Sequence, residues 1–352
     1  MNTSRLTVLF LGLLLTACSA DLAPRPTAAD GAPPVVAVPA PEPAPIASPA
    51  AVPNAATEPA PAVLEPTTQP QVAAPSATPA PPLPPVPPKP ISAADRLGVV
   101  LALPHPDAKM HIPYALLDDQ PEELSVIFHF HLGLNIVVEE MDRTSTRAIL
   151  IHFSPGGLSS KYRVPIVEDP ELFFNLIKSA LEQTRARPEV RDDAPMTSLT
   201  VTSFSAGFGA VREILKDPAA FEAIDHLVMA DTIYAGYDGD VADKVVSPVN
   251  MVDFTRFARE AAEGRKWFIL THNSYDPPGY ASTAETADYI VNQLGLSRYT
   301  TNMPIGEKLT FSSRAGKGRF EVFGSPRTDG SDHAMHLRYI GYGLTMLPLP
   351  RD

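Results

Sequence analysis

The sequence predicts an α/β fold, a three-layer sandwich around a mostly parallel central sheet, over residues 93–352. Three observations predict it. Short, continuous apolar runs alternate with amphipathic helical stretches, as buried parallel strands joined by crossover helices require. Of the 40 prolines, 23 fall within residues 21–90, so the composition divides the chain sharply in two. The 260 residues beyond that division suffice for one α/β domain with a full core.

The expected strands are Leu124–Phe130, Ala148–Phe153, Leu199–Phe204, His226–Ala230, Trp267–Thr271 and Arg319–Phe323. Asp169-Pro170 marks a helix start with proline in the first turn, followed by Phe173, Ile177, Ala180 and Leu181 at spacings of three and four. Met251, Phe254, Phe257 and Ala261 form a second stripe. Ser282-Thr-Ala-Glu285 is a capping-box pattern opening a third helix, with Ala287, Ile290 and Leu294 on its buried side. Leu337, Ile340, Leu344 and Leu347 form the closing helix. Right-handed crossovers stack such units into one sheet.

Residues 1–17 have the form of a signal peptide: Arg5 precedes an apolar run of 12 residues, Leu6–Ala17, too short to span a bilayer. The run ends in Leu15-Thr16-Ala17-Cys18, which resembles the lipobox of bacterial lipoproteins, where cleavage leaves a lipidated cysteine. That resemblance implies acylation of Cys18, palmitate included. Ser19 in the next position, by resemblance to Gram-negative sorting, implies the outer membrane, facing the periplasm. Residues 18–92 are then a lipidated cysteine and a disordered proline- and alanine-rich tether. Such a sequence lacks the donors for helix or sheet and the apolar area to offset ordering entropy. In polyproline II, at about 3.1 Å per residue, it reaches on the order of 200 Å.

The net charge is −12, of which residues 93–352 carry −10 (25 basic against 35 acidic residues), and this argues against a nucleic-acid partner. Cys18 is the only cysteine, which excludes a disulfide within the chain and a cysteine-built zinc site, and no disulfide-linked partner is expected. No phosphate loop or dinucleotide fingerprint is present, and no cofactor is expected.

The strongest site signal is Ser203-Phe204-Ser205-Ala206-Gly207-Phe208-Gly209, between the strand Leu199–Phe204 and a helix over Ala210–Leu215. Strand, tight turn, serine and helix form a nucleophile elbow, which raises the Ser205 hydroxyl above the sheet, while the small residues let the helix pack close. The usual pattern is G-x-S-x-G, and Ser203 stands in the first glycine's place. The bland alternative is a small-residue turn with a helix-capping serine.

With this motif, and with acid and histidine candidates following in order, residues 120–350 resemble the α/β-hydrolase family. The resemblance implies a serine hydrolase, most simply a carboxylic ester hydrolase, with amides the alternative. Phe128-His129-Phe130-His131-Leu132-Gly133 looks like the family's oxyanion loop, which implies the backbone N–H groups of Leu132 and Ala206 as oxyanion donors. Ser154-Pro155-Gly156-Gly157 is the second candidate for that loop. The general base is expected on the loop before the last helix, where His333 lies, with His336 as its alternative. For the acid, Asp231 ends a wholly apolar strand, where an ionised group needs a partner. Asp276, ahead of two prolines, is the alternative and sits where the family more often places its acid. Only about 17 residues separate Asp231 from the helix at Val249, too few for a large lid. An open site suits an ester-bearing small molecule or a bulky envelope component.

Two other classes stay in view. Ser203 and Leu132 depart from the family pattern, as they would in a non-catalytic envelope module with a degenerate hydrolase fold. His129 and His131, with His152, His226 and His272 near other strands, also resemble the histidines of metal-dependent amidohydrolases, which need an eight-stranded barrel. His272 is expected to pack or hydrogen-bond at the pocket rim. With a serine site in place, no metal is expected.

Overall fold

A computed structural model describes residues 92–118 and 120–351. The signal peptide, Cys18 and the tether as far as residue 91 lie outside the described residues. Ser92 opens the described chain by accepting a hydrogen bond from the Asp95 N–H at 3.2 Å, which caps α1 (Ala93–Leu97). The hairpin β1 (Gly98–Ala102) and β2 (Ala108–Pro113) leads through α2 (Tyr114–Asp118) to β3 (Leu124–Phe130). Then come α3 (Leu134–Arg143), β4 (Ile149–Phe153), α4 (Ser159–Glu168), α5 (Leu172–Arg185), β5 (Met196–Phe204), α6 (Phe208–Ile214), α7 (Pro218–Ala223) and β6 (His226–Ala230). The chain continues through α8 (Pro248–Ala262), β7 (Trp267–His272), α9 (Thr283–Gln293), β8 (Tyr299–Ile305), β9 (Leu309–Lys317), β10 (Phe320–Gly324), α10 (Gly330–Arg338) and α11 (Ile340–Thr345).

The strands form one open sheet in the order β1-β2-β4-β3-β5-β6-β7-β10-β9-β8. Its six central strands, β4 through β10 in that order, are mutually parallel, and an antiparallel pair borders each side. The expected strands are these six, with ends shifted by up to three residues. All seven residues of β3 are buried, and successive side chains go to opposite faces: Val126, Phe128 and Phe130 to one core, Ile127 to the other. The first core also takes Phe173, Val211, Phe254 and Ile290 from α5, α6, α8 and α9. The second takes Val137, Leu337 and Leu344 from α3, α10 and α11. Helices thus cover both faces, the three-layer sandwich around a mostly parallel sheet that the sequence predicts. Between β6 and α8 there is no large lid domain. Being an open sheet, this is not the barrel that the metal-dependent alternative needs.

Three helix expectations are corrected. Pro170 lies in a turn and α5 starts only at Leu172, because Asp169 closes the end of α4 and its carboxylate accepts from the Glu171 N–H at 3.1 Å. The expected closing helix is two helices. It breaks at Tyr339 so that α11 turns onto α3, where the Gly341 N–H donates to the buried Glu140 carboxylate at 3.2 Å. The helix after Ser205 begins at Phe208 rather than Ala210.

The helix α6 lies so close to α4 that a Cβ on Gly209 would stand 2.2 Å from the Ser159 carbonyl oxygen. Backbone cannot yield as a side-chain end can. Gly209→Ala is therefore expected to lose roughly 1–3 kcal/mol of stability, read as an earlier urea midpoint, and an unchanged midpoint would contradict this packing.

Candidate active site

The end of β5 and the start of α6 set Ser205. Its φ of +49° lies in the left-handed region that non-glycine residues seldom occupy. The Thr232 hydroxyl donates to the Ser205 carbonyl at 2.6 Å and lies 2.9 Å from the Ser203 hydroxyl, so one side chain ties the turn to the residue where a glycine is usual. Gly207 supplies the missing room, since a Cβ there would stand 2.6 Å from the Phe130 carbonyl and 2.7 Å from Ser203 Oγ.

Asp231 follows β6 directly and is fully buried, also in a left-handed conformation with φ of +46°. Its Oδ1 accepts from the Asn273 N–H at 3.0 Å and from the Thr283 hydroxyl, and its Oδ2 lies 2.7 Å from His333 Nδ1. Thr283 is in place because Ser282 and Glu285 form the complete capping box that starts α9 there. Burial pushes the Asp231 carboxyl up, but the nearby His336 and the hydrogen-bonded His333 outweigh it and hold the group at about 2. An ionised carboxylate only accepts hydrogen bonds, so His333 Nδ1 carries the proton, and in the neutral ring Nε2 is then the nitrogen with the lone pair.

The His333 ring stacks on Phe204, the residue before Ser205, at 4.5 Å between centroids, and His131 lies against the same phenyl ring at 5.9 Å. His333 is not on a loop as expected but in the first turn of α10. The Asp329 carboxylate caps that helix by accepting from the Ser331 and Asp332 N–H groups at 3.0 Å, which starts it ahead of the histidine.

The structure separates the alternatives from this cluster. The Asp276 side chain is 59% exposed and pairs with Lys244 at 2.6 Å. His336 is buried, with Nδ1 2.8 Å from the Thr271 hydroxyl and Nε2 3.5 Å from Asp332. His272 is also buried, with Nδ1 2.7 Å from the Asn273 carbonyl, and packs against Gly324 rather than at a pocket rim. Of the remaining histidines, His129 engages Thr202 and the Leu132 carbonyl, and His226 engages Thr200. No group of three or more histidine, cysteine, aspartate or glutamate residues among the described residues is arranged to hold a metal ion.

Ser205 and Ala206 open into a cavity of about 430 Å³, whose wall includes Leu158, Arg212, Tyr234 and Tyr280. The loop of residues 154–157 leads to Leu158 of that wall, with Gly156 and Gly157 both at positive φ. Leu132 is half exposed on the turn after β3, where the preceding His131 takes φ of +92°. Sequence reasoning missed Thr232, Thr283 and Arg212. Only the capping box gave a signal, and it marked the helix start rather than the partner of Asp231.

No protein-family model matches the chain, and no curated protein matches it in sequence. Among solved structures it is similar to the ester-hydrolase EH1AB1 from the Lake Arreo metagenome, at 14% identity and a TM-score of 0.36 over 71% of this chain and 81% of that one. Est1E from Butyrivibrio proteoclasticus is similar at 10% identity and a TM-score of 0.33, over 68% and 93% of the two chains. The glucuronoyl esterase of Solibacter usitatus gives 8% identity and 0.34, over 69% and 79%. Likeness at this level says nothing of activity, which has to be argued from the geometry of the site.

Burial holds six histidines well below their usual range: His129 at about 3, and His111, His131, His152, His226 and His272 at about 4. Below about pH 6.5 the unfolded chain protonates these residues while the folded one does not. Stability is therefore complete above that pH, declines as the pH falls below it, and levels off near their folded values. Asp231 adds a loss only at lower pH, between the ordinary carboxylate range and about 2. Denaturant melts from pH 7.5 to 4.5 are expected to show this steep decline; a flat profile would contradict it.

Proposed function

We propose that this protein is a serine hydrolase of carboxylic esters, with Ser205 as nucleophile, His333 as general base and Asp231 as the acid that orients it. The carrying observation is the 2.7 Å contact between His333 Nδ1 and the buried Asp231 carboxylate, with the imidazole stacked on the residue that precedes Ser205. In this mechanism Ser205 Oγ attacks the ester carbonyl carbon while its proton passes to His333 Nε2. The backbone N–H groups of Ala206 and Leu132 receive the charge on the carbonyl oxygen, each such donor being worth about 10²–10³ in rate. Collapse breaks the bond to the alcohol, which leaves with the proton from His333. Water, deprotonated by the same nitrogen, then releases the acid and restores the serine. The short connection between β6 and α8 and the open cavity favour an ester too bulky for a lidded pocket.

A fluorophosphonate probe is expected to label Ser205, found by peptide mapping. Ser205→Ala and His333→Ala should each lower turnover of a short-chain aryl ester by at least about 10³-fold, and the double variant should be hardly worse than either. Asp231→Asn should retain somewhat more activity. A folded Ser205→Ala with full activity would overturn the mechanism, and a crippled Asp276→Asn beside a healthy Asp231→Asn would move the acid.

We propose also that Cys18 carries lipid and tethers the enzyme to the outer membrane on its periplasmic side, from the short apolar run ending in Leu-Thr-Ala-Cys. Cys18→Ala is expected to appear in the soluble periplasmic fraction. A variant that stays membrane-bound with unchanged mobility would rule the anchor out.

A further inference from the structure

We infer that the cavity beside Ser205 takes an ester that carries an anionic group, and that Arg212 recognises that group; this rests on the hydrolase proposal for the chemistry but not for the binding. Arg212 lies on α6 and contributes to the cavity wall. Its Nη2 donates to the Tyr234 carbonyl, its guanidinium carbon lies 4.9 Å from the Phe208 ring centroid, and its buried Nε has no hydrogen-bond partner. No carboxylate among the described residues pairs with it. The adjacent Glu213 is instead engaged by Lys216 at 2.8 Å.

A largely desolvated guanidinium hydrogen-bonded to no carboxylate is costly, the more so with Arg163 near enough to oppose its charge, and a backbone carbonyl needs no guanidinium to satisfy it. Facing an otherwise mostly apolar cavity, its planar fork is the group best suited to a carboxylate or phosphate. Position agrees. Arg212 and Ser205 line the same cavity, and Arg212 lies on α6, whose side chains lean toward the helix N-terminus, here toward the serine. That places the anion a few bonds from the scissile carbonyl. The net charge of −12 works against anions at long range, so a preference for them has to be local.

Two ester pairs test this on the full chain. The monoester of adipic acid with p-nitrophenol is compared with p-nitrophenyl hexanoate, and the butyrate ester of p-hydroxybenzoate with phenyl butyrate. The first pair puts the anion on the acyl side, the second on the leaving group. The wild type is expected to favour the anionic member of at least one pair in kcat/KM. Arg212→Met should shrink that ratio about tenfold or more, and Arg212→Lys should keep part of it. The ratio within each variant is the readout, because a merely structural loss lowers both members together. Calorimetry with Ser205→Ala repeats the comparison without catalysis, as binding of monomethyl adipate against methyl hexanoate and of p-hydroxybenzoate butyrate against phenyl butyrate. An anion preference there without turnover in the wild type would sink the hydrolase proposal alone. A wild type that favours the neutral member of both pairs, or a ratio that Arg212→Met moves less than about twofold, would overturn the inference.

Discussion

An ionised carboxylate in an apolar interior has to be met by donors on both oxygens, and Asp231 imposes that condition on this end of the sheet. The donors come from three separate elements: the Asn273 N–H just after β7, the Thr283 hydroxyl in the first turn of α9, and His333 in the first turn of α10. Each therefore has to start or end at a fixed residue. The capping box at Ser282 and the aspartate cap at Asp329 provide that, since a helix that began one residue later would rotate its side chain by about 100°. Local capping chemistry and the buried charge are in this sense one constraint.

The same economy shows at the serine turn. A β-carbon and hydroxyl at position 203, where glycine is usual, needs space and a hydrogen-bond partner. Gly207 leaves the space and Thr232 is the partner, and Thr232 then reaches the Ser205 carbonyl and holds the left-handed turn. Thr232 immediately follows Asp231, so the parallel pairing of β5 with β6 aligns the turn at one strand end with the carboxylate at the other. The departure from G-x-S-x-G thus comes with a local compensation, which removes much of its weight as a sign of a degenerate site.

What was legible in the sequence follows from what periodicity encodes. The six central strands are buried on both faces over most of their length and read as mostly apolar runs. The pair at the far edge does not: β8 alternates between half-buried and exposed and contains Pro304, and β9 is mostly polar. Such edges carry little hydrophobic signal, and proline is tolerated there because the outer N–H has no ladder partner to lose. At the site, Ser205 and Asp231 were legible because each sits at the end of an apolar strand. Thr232, Thr283 and Arg212 were not, because threonine and arginine are ordinary at helix starts and on helix surfaces, and only the tertiary fold shows what they face.

The structure also explains why two histidines one helical turn apart are not interchangeable. His336 forms a second buried arrangement, between the Thr271 hydroxyl and Asp332, whose own Oδ2 lies 2.7 Å from the Ser325 hydroxyl. Both the His336 and Asp332 side chains are fully enclosed, whereas His333 keeps a quarter of its side chain open. An enclosed ring does not meet solvent water, and the partly open one does. Exchanging the two would require α10 to advance by three residues, about 4.5 Å, past the aspartate cap that fixes its start. One histidine thus meets the Asp231 carboxylate directly while the other is enclosed between Thr271 and Asp332, and the i,i+3 spacing that makes them look alike in sequence is what assigns them to different layers.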